Sequence, residues 1–403
     1  MGVVRHLAKR ALFLTITFIL AIFATVVIAN GGGTIDELLR NQIQFDIRQR
    51  LQNDQHYRQL PEANQSRIFN ETYNATIKAR GLDDPFLEKS FRYTIDALQF
   101  KLGRSTDLHT SDLSHDVGAI IMERLPRTLV LFTIANIVAA VFGIWLGLWM
   151  ARKALSAFDR GMTVISVTTF IVPPWVYGIL FILLFGFTWK IFPTSGWVSA
   201  PPPPQGPITN ALPPVIALGL LFGGFFFNQY ARANQRRIGY AVMLGGVAVG
   251  IAWLVMPYDY YKDIEWHMVL PGIAVAFSIF GSWSYTTRNL VLQVMDEDFV
   301  FAARAKGLKE RDVLNKYVLR AASPPIVTSL ALTLVAAWTG AIITETVFNY
   351  QGLGLLFYEA IVRSDAPVVI GLTTIYALLL VLTVFGLDLT YSLLDPRIKA
   401  MRR

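Results

Sequence analysis

Long apolar runs separated by short polar segments dominate the pattern of this 403-residue chain. Most runs are close to twenty residues long, which is the length that an α-helix needs to cross the hydrocarbon core of a bilayer. The pattern therefore predicts an all-α, polytopic membrane protein built as a helical bundle. We predict eight spans, at residues 11–30, 128–150, 161–189, 211–229, 238–257, 268–288, 326–348 and 367–391.

The charges beside these runs predict their orientation. If both termini are cytoplasmic, the short cytoplasmic segments carry a clear excess of Lys and Arg, and the short external loops do not. That distribution follows the positive-inside rule, and the reversed orientation would invert it. The first run follows Arg5, Lys9 and Arg10, is longer than a signal-peptide core and lacks a convincing Ala-x-Ala cleavage site, so we expect a retained helix.

Composition agrees with a membrane protein. Hydrophobic residues make up 54% of the chain and charged residues 16%, which excludes an ordinary soluble protein. The net charge of +8 would also suit a nucleic-acid-binding protein, but the basic residues lie beside the apolar runs, so we expect contact with the lipid bilayer and no nucleic acid. The absence of cysteine excludes disulfides and thiol chemistry.

A polar segment, residues 296–325, lies between two of the apolar runs. We predict two short helices separated at Gly307, because a residue without Cβ readily adopts the left-handed conformation that ends a helix. Lys306 would then face the negative end of the first helix dipole. One face of the second helix is apolar and comprises Val313, Leu314, Tyr317 and Val318.

These residues resemble the permease subunits of binding-protein-dependent ABC importers, in the dipeptide and oligopeptide branch. The matching positions in the polar segment are Asp298-Phe299-Val300, Ala303-Arg304-Ala305-Lys306-Gly307-Leu308, Leu319-Arg320 and Pro325. Further matches are Leu102-Gly103-Arg104-Ser105, Leu125-Pro126-Arg127-Thr128-Leu129, Phe192-Pro193-Thr194-Ser195-Gly196-Trp197, Glu345-Thr346-Val347-Phe348, Gly352-Leu353-Gly354 and Asp395-Pro396-Arg397-Ile398. The resemblance is nearly full-length.

The resemblance implies that residues 296–325 form the loop that couples the permease to a cytoplasmic ATPase. The residues to which it assigns this role are Asp298, Phe299, Ala302, Ala303, Arg304, Ala305, Lys306, Gly307, Leu308, Val313 and Tyr317. Two positions depart from the family pattern, since Phe301 stands in place of a glutamate and Ala302 in place of the threonine common in this branch. Individual contacts with the ATPase should therefore differ here.

The resemblance also implies a six-helix core, a second similar permease subunit, two cytoplasmic ATP-binding subunits and an external solute-binding protein. No Gly-x-x-x-x-Gly-Lys-Ser/Thr loop is present to hold phosphates, so ATP would be bound and hydrolysed by the partners, and we expect neither catalytic residues nor a cofactor in this chain. Peptides are the first expected solute, with oligosaccharides or nickel as alternatives. An ion-gradient-driven transporter is the alternative from a different class, but it predicts paired repeats and mid-membrane charges, of which there is little sign.

We divide the chain into three parts, at residues 1–30, 31–127 and 128–403. The first comprises the N-terminal tip and first span, the second is external, and the third is the permease domain. Amphipathic patterns near 35–51 and 86–102 predict helices in the external part, which either contacts the solute-binding protein or caps the bundle.

An inserted helical hairpin at residues 211–257 is the largest departure from the family core, which needs only one crossing in this interval. Arg232, Arg236 and Arg237 between its two runs predict a cytoplasmic link. We expect the hairpin to serve in peripheral packing or lipid contact rather than in substrate binding. Pro201 to Pro204 should form a stiff, extended connector before it.

Few ionisable residues fall inside the spans. Glu345 has two interpretations: it lines or gates the pathway, or it makes a structural hydrogen bond within the bundle. We predict that Asp388 is a structural group at a helix end. Pro173 and Pro174 must break or kink the third span, because neither can donate the helical hydrogen bond, and the kink serves either the pathway or packing.

Two further clusters lie in the external part. Asp107, His109, Asp112, His115 and Asp116 have metal-ligating side chains, but nothing fixes their geometry and we predict a hydrated polar turn rather than a metal site. Asn64, Asn70 and Asn74 begin glycosylation sequons, which matter only in an organism that has the modifying enzymes.

Overall fold

A computed structural model describes residues 2–31, 34–79, 81–105, 107–230, 235–338 and 342–394. Within these ranges the chain is helical and contains no β-strand beyond an isolated bridge between Arg104 and Asp116. The predicted all-α class is confirmed. The predictions for Arg232 and for Asp395-Pro396-Arg397-Ile398 lie outside the described residues.

The helices follow one another with short connections. In chain order they are α1 Gly2–Gly31, α2 Thr34–Asn53, α3 Gln55–Arg58, α4 Glu62–Ala79, α5 Phe86–Leu98, α6 Val117–Arg152, α7 Ala157–Ile171, α8 Pro174–Phe181, α9 Pro213–Tyr230, α10 Arg236–Val255, α11 Tyr260–Met295, α12 Asp298–Ala305, α13 Glu310–Asp312, α14 Leu319–Trp338, α15 Ile342–Val347, α16 Leu353–Val362 and α17 Ala366–Leu394. Ile182–Thr188 and Val313–Val318 are π-helical, and Ile208–Ala211 is a 3₁₀ turn.

Six helical segments of the described chain are long and apolar enough to cross a membrane, at 11–28, 117–152, 208–225, 236–255, 260–295 and 367–386. The bent pair α7 and α8, extended to Thr188, makes a seventh if it is one span. The predicted total was eight. The remaining predicted span, 326–348, falls on α14 and α15, between which residues 339–341 lie outside the described part.

Residues 1–127 and 356–403 form one compact unit. Its polar part contains α2, α4 and α5, which confirms the helices predicted near 35–51 and 86–102. Ile43 and Ile47, which lie four residues apart on one face of α2, are buried with Ile77 of α4 and Leu82 of the turn that follows it. An ion pair between Lys89 and Asp36 joins α5 to α2.

Residues 128–355 form the second unit. Within it α6 and α11 run side by side, and their backbones approach so closely that a Cβ on Gly147 would lie 2.5 Å from the carbonyl oxygen of Ser284. Small residues permit such contacts between membrane helices, where packing rather than water drives association. One buried cluster includes Leu146, Met150 and Val291, so the core lies along this helix pair.

The predicted hairpin is present as α9 and α10. Its two helices also pack through small residues, since a Cβ on Gly224 would lie 2.7 Å from the carbonyl oxygen of Gly239. Before the hairpin, Pro201 to Pro204 adopt no helix or strand, as expected for an extended connector.

Candidate functional site

The polar segment at 296–325 forms the two predicted helices. The first is α12, Asp298–Ala305, and Gly307 follows it with φ +75°, the left-handed conformation predicted for it. The second begins at Glu310 and runs without a break through the π-helical turn into α14. Since α11 extends to Met295, well beyond the predicted end of its span at 288, only residues 296–297 and 306–309 are non-helical.

The inner face of this segment is buried. It packs into the same cluster as the ends of α6 and α11, and its buried members are Val300, Ala303, Val313, Leu314, Val318 and Ala322. Burial of apolar area stabilises this packing by about 25 cal/mol per Å² removed from water. The two short helices are therefore packed against the helix bundle.

Tyr317, which was predicted on the same apolar face as Val313 and Val318, is not buried with them. Its side chain is 39% exposed, whereas Val313 and Val318 are fully buried. The cause is the π-helical turn at Val313–Val318, in which hydrogen bonds join residues five apart. This wider turn brings Val318 over Val313 and rotates Tyr317 to the rim of the face.

The outer surface of the segment is exposed and partly apolar. Phe301 is 75% exposed, and Phe299, Leu308 and Tyr317 are also exposed. The other predicted residues on this surface are exposed as well; they are Asp298, Ala302, Arg304, Ala305, Lys306 and Gly307. An exposed apolar patch rimmed by charges is typical of a protein-binding surface.

An ion pair closes the turn at Gly307. Arg304 donates to both carboxylate oxygens of Glu310, at 2.8 Å and 3.2 Å. The hydrogen bond from Arg304 holds the pKa of Glu310 below its ordinary value, and the same bond raises the pKa of the Arg304 guanidinium. The pair ties the end of α12 to the start of α13 across the turn.

A second ion pair, which the sequence did not reveal, joins α11 to α7. Arg288 of α11 donates Nε to Oδ1 of Asp159 at 2.5 Å and Nη2 to Oδ2 at 2.7 Å. The Asp159 side chain is 1% exposed. A lone acid among basic residues at the start of α7 was the only signal available in the sequence, and nothing local identifies its partner 129 residues away.

Pro173 and Pro174 break the third predicted span, as expected. The helix α7 ends at Ile171, α8 begins at Pro174, and their axes differ by 95°. Both residues that precede a proline, Val172 and Pro173, are extended, since the proline ring disfavours helical backbone before it. The Val172 carbonyl accepts a hydrogen bond from Ser278 Oγ at 2.9 Å, which satisfies it inside the bundle.

Glu345 is buried on α15, with 1% exposure. Its carboxylate accepts hydrogen bonds from Thr128 Oγ1 at 2.9 Å and from the Leu355 backbone N–H at 3.0 Å. Thr128 in turn accepts from the Leu353 N–H at 2.7 Å. A Cβ on Gly352 would meet both side chains, so the turn there packs directly on this network. The predicted structural hydrogen bond is thus present.

Asp388 lies in α17, and its side chain is outside the described part.

The two clusters predicted in the 31–127 region form no metal site among the described residues. His109 and His115 make an edge-to-face ring contact with centroids 5.9 Å apart. Within the described residues, no three His, Cys, Asp or Glu side chains are placed to hold a metal ion. Asn64, Asn70 and Asn74 all lie exposed on α4.

Comparison with known proteins adds a family. Residues 143–400 match the model of the binding-protein-dependent transport system inner membrane component. The oligopeptide transport system permease protein AppB of Bacillus subtilis is 27% identical over 323 residues, covering 80% of this chain and 84% of its own. The di/tripeptide transport system permease protein DppB of Pseudomonas aeruginosa is 27% identical, over 83% of this chain and 88% of its own. The dipeptide transport system permease protein DppB of Escherichia coli K12 is 28% identical, over 82% and 86%.

Proposed function

This chain belongs to the family of binding-protein-dependent transport system inner membrane components, and we propose that it is the membrane permease subunit of an ATP-driven importer of peptides. The peptide assignment rests on the transport systems named for its relatives. The observation that carries the coupling role is the exposed patch of Phe299, Phe301 and Leu308, held above a buried anchor of Val300, Ala303 and Val313.

The patch has the chemistry of a docking surface. Its aromatic and aliphatic side chains would fill a cleft of a cytoplasmic ATPase, and Arg304 and Lys306 would lie at the rim. In place of the family glutamate, Phe301 offers a side chain more exposed than those of Phe299, Leu308 and Tyr317, so we expect a hydrophobic contact there rather than an ion pair.

Force on the patch would pass into the membrane through packed helices. The segment is continuous with α14, and its buried face packs on α6 and α11. Because packed cores rearrange between discrete states rather than deform smoothly, movement of the patch would move these helices together. This supports a mechanical role for the chain, with ATP bound and hydrolysed by separate subunits.

The remaining assignments complete the transport model. Two ATPases and a second, similar permease would join this chain, with its termini in the cytoplasm. An external solute-binding protein would deliver the peptide, and the 31–127 region would contact it. Glu345 and the bend at Pro173-Pro174 would lie along the moving part of the pathway. The buried hydrogen-bond network around Glu345 and the 95° angle of the bend support this placement.

Affinity purification of the tagged full chain in mild detergent tests the proposal. Mass spectrometry should find a second permease and ATPase chains, and vesicles containing the purified complex should accumulate labelled dipeptide only with ATP and a binding protein. A chain that emerges alone, or uptake driven by an ion gradient without ATP, would overturn it.

A further inference from the structure

A groove of about 460 Å³ lies between the inserted hairpin and the helices α6 and α11. All of its walls belong to the 128–355 unit. Leu131 and Ala135 contribute from α6, Val215 and Leu218 from α9, and Met268 and Gly272 from α11. The proposed permease function assigns no role to this hairpin.

The groove follows one stripe of α11, from Tyr261 through Glu265 and Gly272 to Ala276. Beyond Glu265, the apolar part of that stripe extends about 16 Å to Ala276, at 1.5 Å per residue. The hydrocarbon of one leaflet is about 15 Å deep, half of a core of about 30 Å. Since α6, α9 and α11 are all membrane-spanning candidates, a single extended acyl chain matches the groove in both length and surroundings.

Two polar side chains of the groove, Tyr261 and Glu265, lie near the start of α11. Glu265 Oε2 accepts a hydrogen bond from Trp253 Nε1 of α10 at 2.6 Å. Within the described part of the chain, the other carboxylate oxygen and the Tyr261 hydroxyl have no hydrogen-bond partner. The groove is therefore amphipathic, with the Glu265 carboxyl group and a free hydroxyl at the mouth and hydrocarbon walls beyond.

Its chemistry selects against a peptide. A peptide laid along these walls would leave its N–H and C=O groups without partners, at a cost of several kcal/mol for each in hydrocarbon. A lipid tail has no such groups. Val215 and Ile273 are 56% and 45% exposed, so the groove opens to the surroundings of the helices, where lipid is the solvent.

We propose that this groove binds one acyl chain of a phospholipid with a primary-amine headgroup, whose ammonium donates to Glu265. The Tyr261 hydroxyl donates to a phosphate or ester oxygen of the same lipid. The bound lipid fills the space between the hairpin and the core, and so fixes the hairpin in place. The proposal is independent of the transported solute.

Native mass spectrometry of the full chain tests this. The chain is delipidated and exposed to vesicles of phosphatidylethanolamine, phosphatidylglycerol or phosphatidylcholine with identical acyl chains. We expect one retained phosphatidylethanolamine, and a loss of about tenfold in its retention for Glu265→Gln, since one charged hydrogen bond is weakened. Equal retention of all three lipids, or no effect of Glu265→Gln, would contradict the proposal.

Matched glycine substitutions test the groove itself. Gly272 lies on its wall, and a Cβ there has Leu131 as its neighbour at 3.7 Å, so Gly272→Leu fills the groove. Gly219→Leu is the control, because no heavy atom lies within 4 Å of its Cβ and it is not on the wall. Gly272→Leu should abolish lipid retention and Gly219→Leu should preserve it. Retention by both variants would place the lipid elsewhere.

A photo-crosslinking amino acid at Val215 answers the same question without filling the groove. Irradiation of native membranes should give an adduct with the mass of one phospholipid. An adduct with another polypeptide, such as a partner helix or a substrate peptide, or no adduct at all, would overturn the proposal.

Discussion

Arg288 and Asp159 join the ends of α11 and α7 through two parallel hydrogen bonds of 2.5 Å and 2.7 Å. Asp159 also accepts the Leu155 N–H at 2.9 Å and lies in the first turn of α7, where the helix dipole favours an anion. The pair links the helix that leads into the polar segment with the helix that bends at Pro173. It thus joins the two helices that precede these features.

Removing one partner of this pair should destabilise the protein. Asp159→Asn leaves the Arg288 guanidinium with a neutral partner in a buried position, and breaking a buried pair costs roughly 3–5 kcal/mol. Thermal unfolding of the detergent-purified chain should show a clear drop in melting temperature. Arg67→Gln is the control, because it breaks an ion pair whose side chains are 77% and 63% exposed, and exposed pairs contribute about 0–1 kcal/mol. Equal shifts for the two variants would refute a stabilising role for Asp159.

Gly307→Val should disrupt ATPase docking while leaving membrane insertion intact. A Cβ in the left-handed region costs about 1–2 kcal/mol, so the turn between α12 and α13 would rearrange. Gly103→Val is the matched control, since Gly103 has φ +79° and, like Gly307, no heavy atom near its Cβ. Co-purification of the ATPase should fall for Gly307→Val alone. If both variants retain the ATPase, the conformation at Gly307 does not matter for docking.

Phe301→Asp should remove ATPase binding with little change in stability. Its side chain is 75% exposed, so few contacts within the chain are lost, and a charge would be placed where an apolar contact is expected. Leu155→Asp serves for comparison, because Leu155 is 80% exposed in a different predicted cytoplasmic link. ATPase activity of the purified complex is the measurement. Full coupling in the Phe301 variant would exclude the patch as the docking surface.

Glu345→Ala should destabilise the bundle, because the buried Thr128 hydroxyl and Leu355 N–H would lose their acceptor. Leaving buried donors unsatisfied costs about 1–3 kcal/mol for each group. Glu345→Gln retains one acceptor oxygen and should lose less. A variant that folds normally yet fails to transport would assign Glu345 to the pathway, whereas parallel losses of stability and transport would assign it to structure.

The Arg304–Glu310 pair should make the turn at Gly307 sensitive to acid. The pKa of Glu310 is lowered in the folded protein by the hydrogen bond from Arg304, so its stabilisation is present above the ordinary glutamate pKa and is lost as pH falls through the lowered value. Both side chains are partly exposed, at 37% and 54%, so the effect should be small. ATPase co-purification measured over a falling pH series should weaken in the wild type.

Glu310→Gln is the control for this titration. Its amide cannot gain a proton in that range, so its ATPase affinity should be uniformly lower than that of the wild type and should not change further at low pH. Identical pH profiles for the two proteins would show that another group titrates.

Local features of the chain were predictable because one residue can set them. The glycine at 307 fixed a left-handed turn through its missing Cβ, and Pro173-Pro174 fixed a helix break through their missing donors. Apolar runs of membrane length located most of the spans. Each of these constraints acts within a few residues.

The exposure of Tyr317 depends on geometry that single residues do not determine. An ordinary α-helix would have placed Tyr317 at the centre of the buried face, but the π-helical turn moved it outward. Seven of the eight predicted spans coincide with apolar helices when the bent pair is counted as one, and the eighth, 326–348, includes residues outside the described part.

The sequence by itself determined the membrane class, the family resemblance, the two helices around Gly307 and the break at Pro173-Pro174, because hydrophobic length, proline and glycine act on the local backbone. Only the tertiary structure decided that Asp159 meets Arg288, that Glu345 meets Thr128, and that the hairpin leaves an amphipathic groove beside α11. These contacts join residues far apart in the chain, and their formation depends on how whole helices pack.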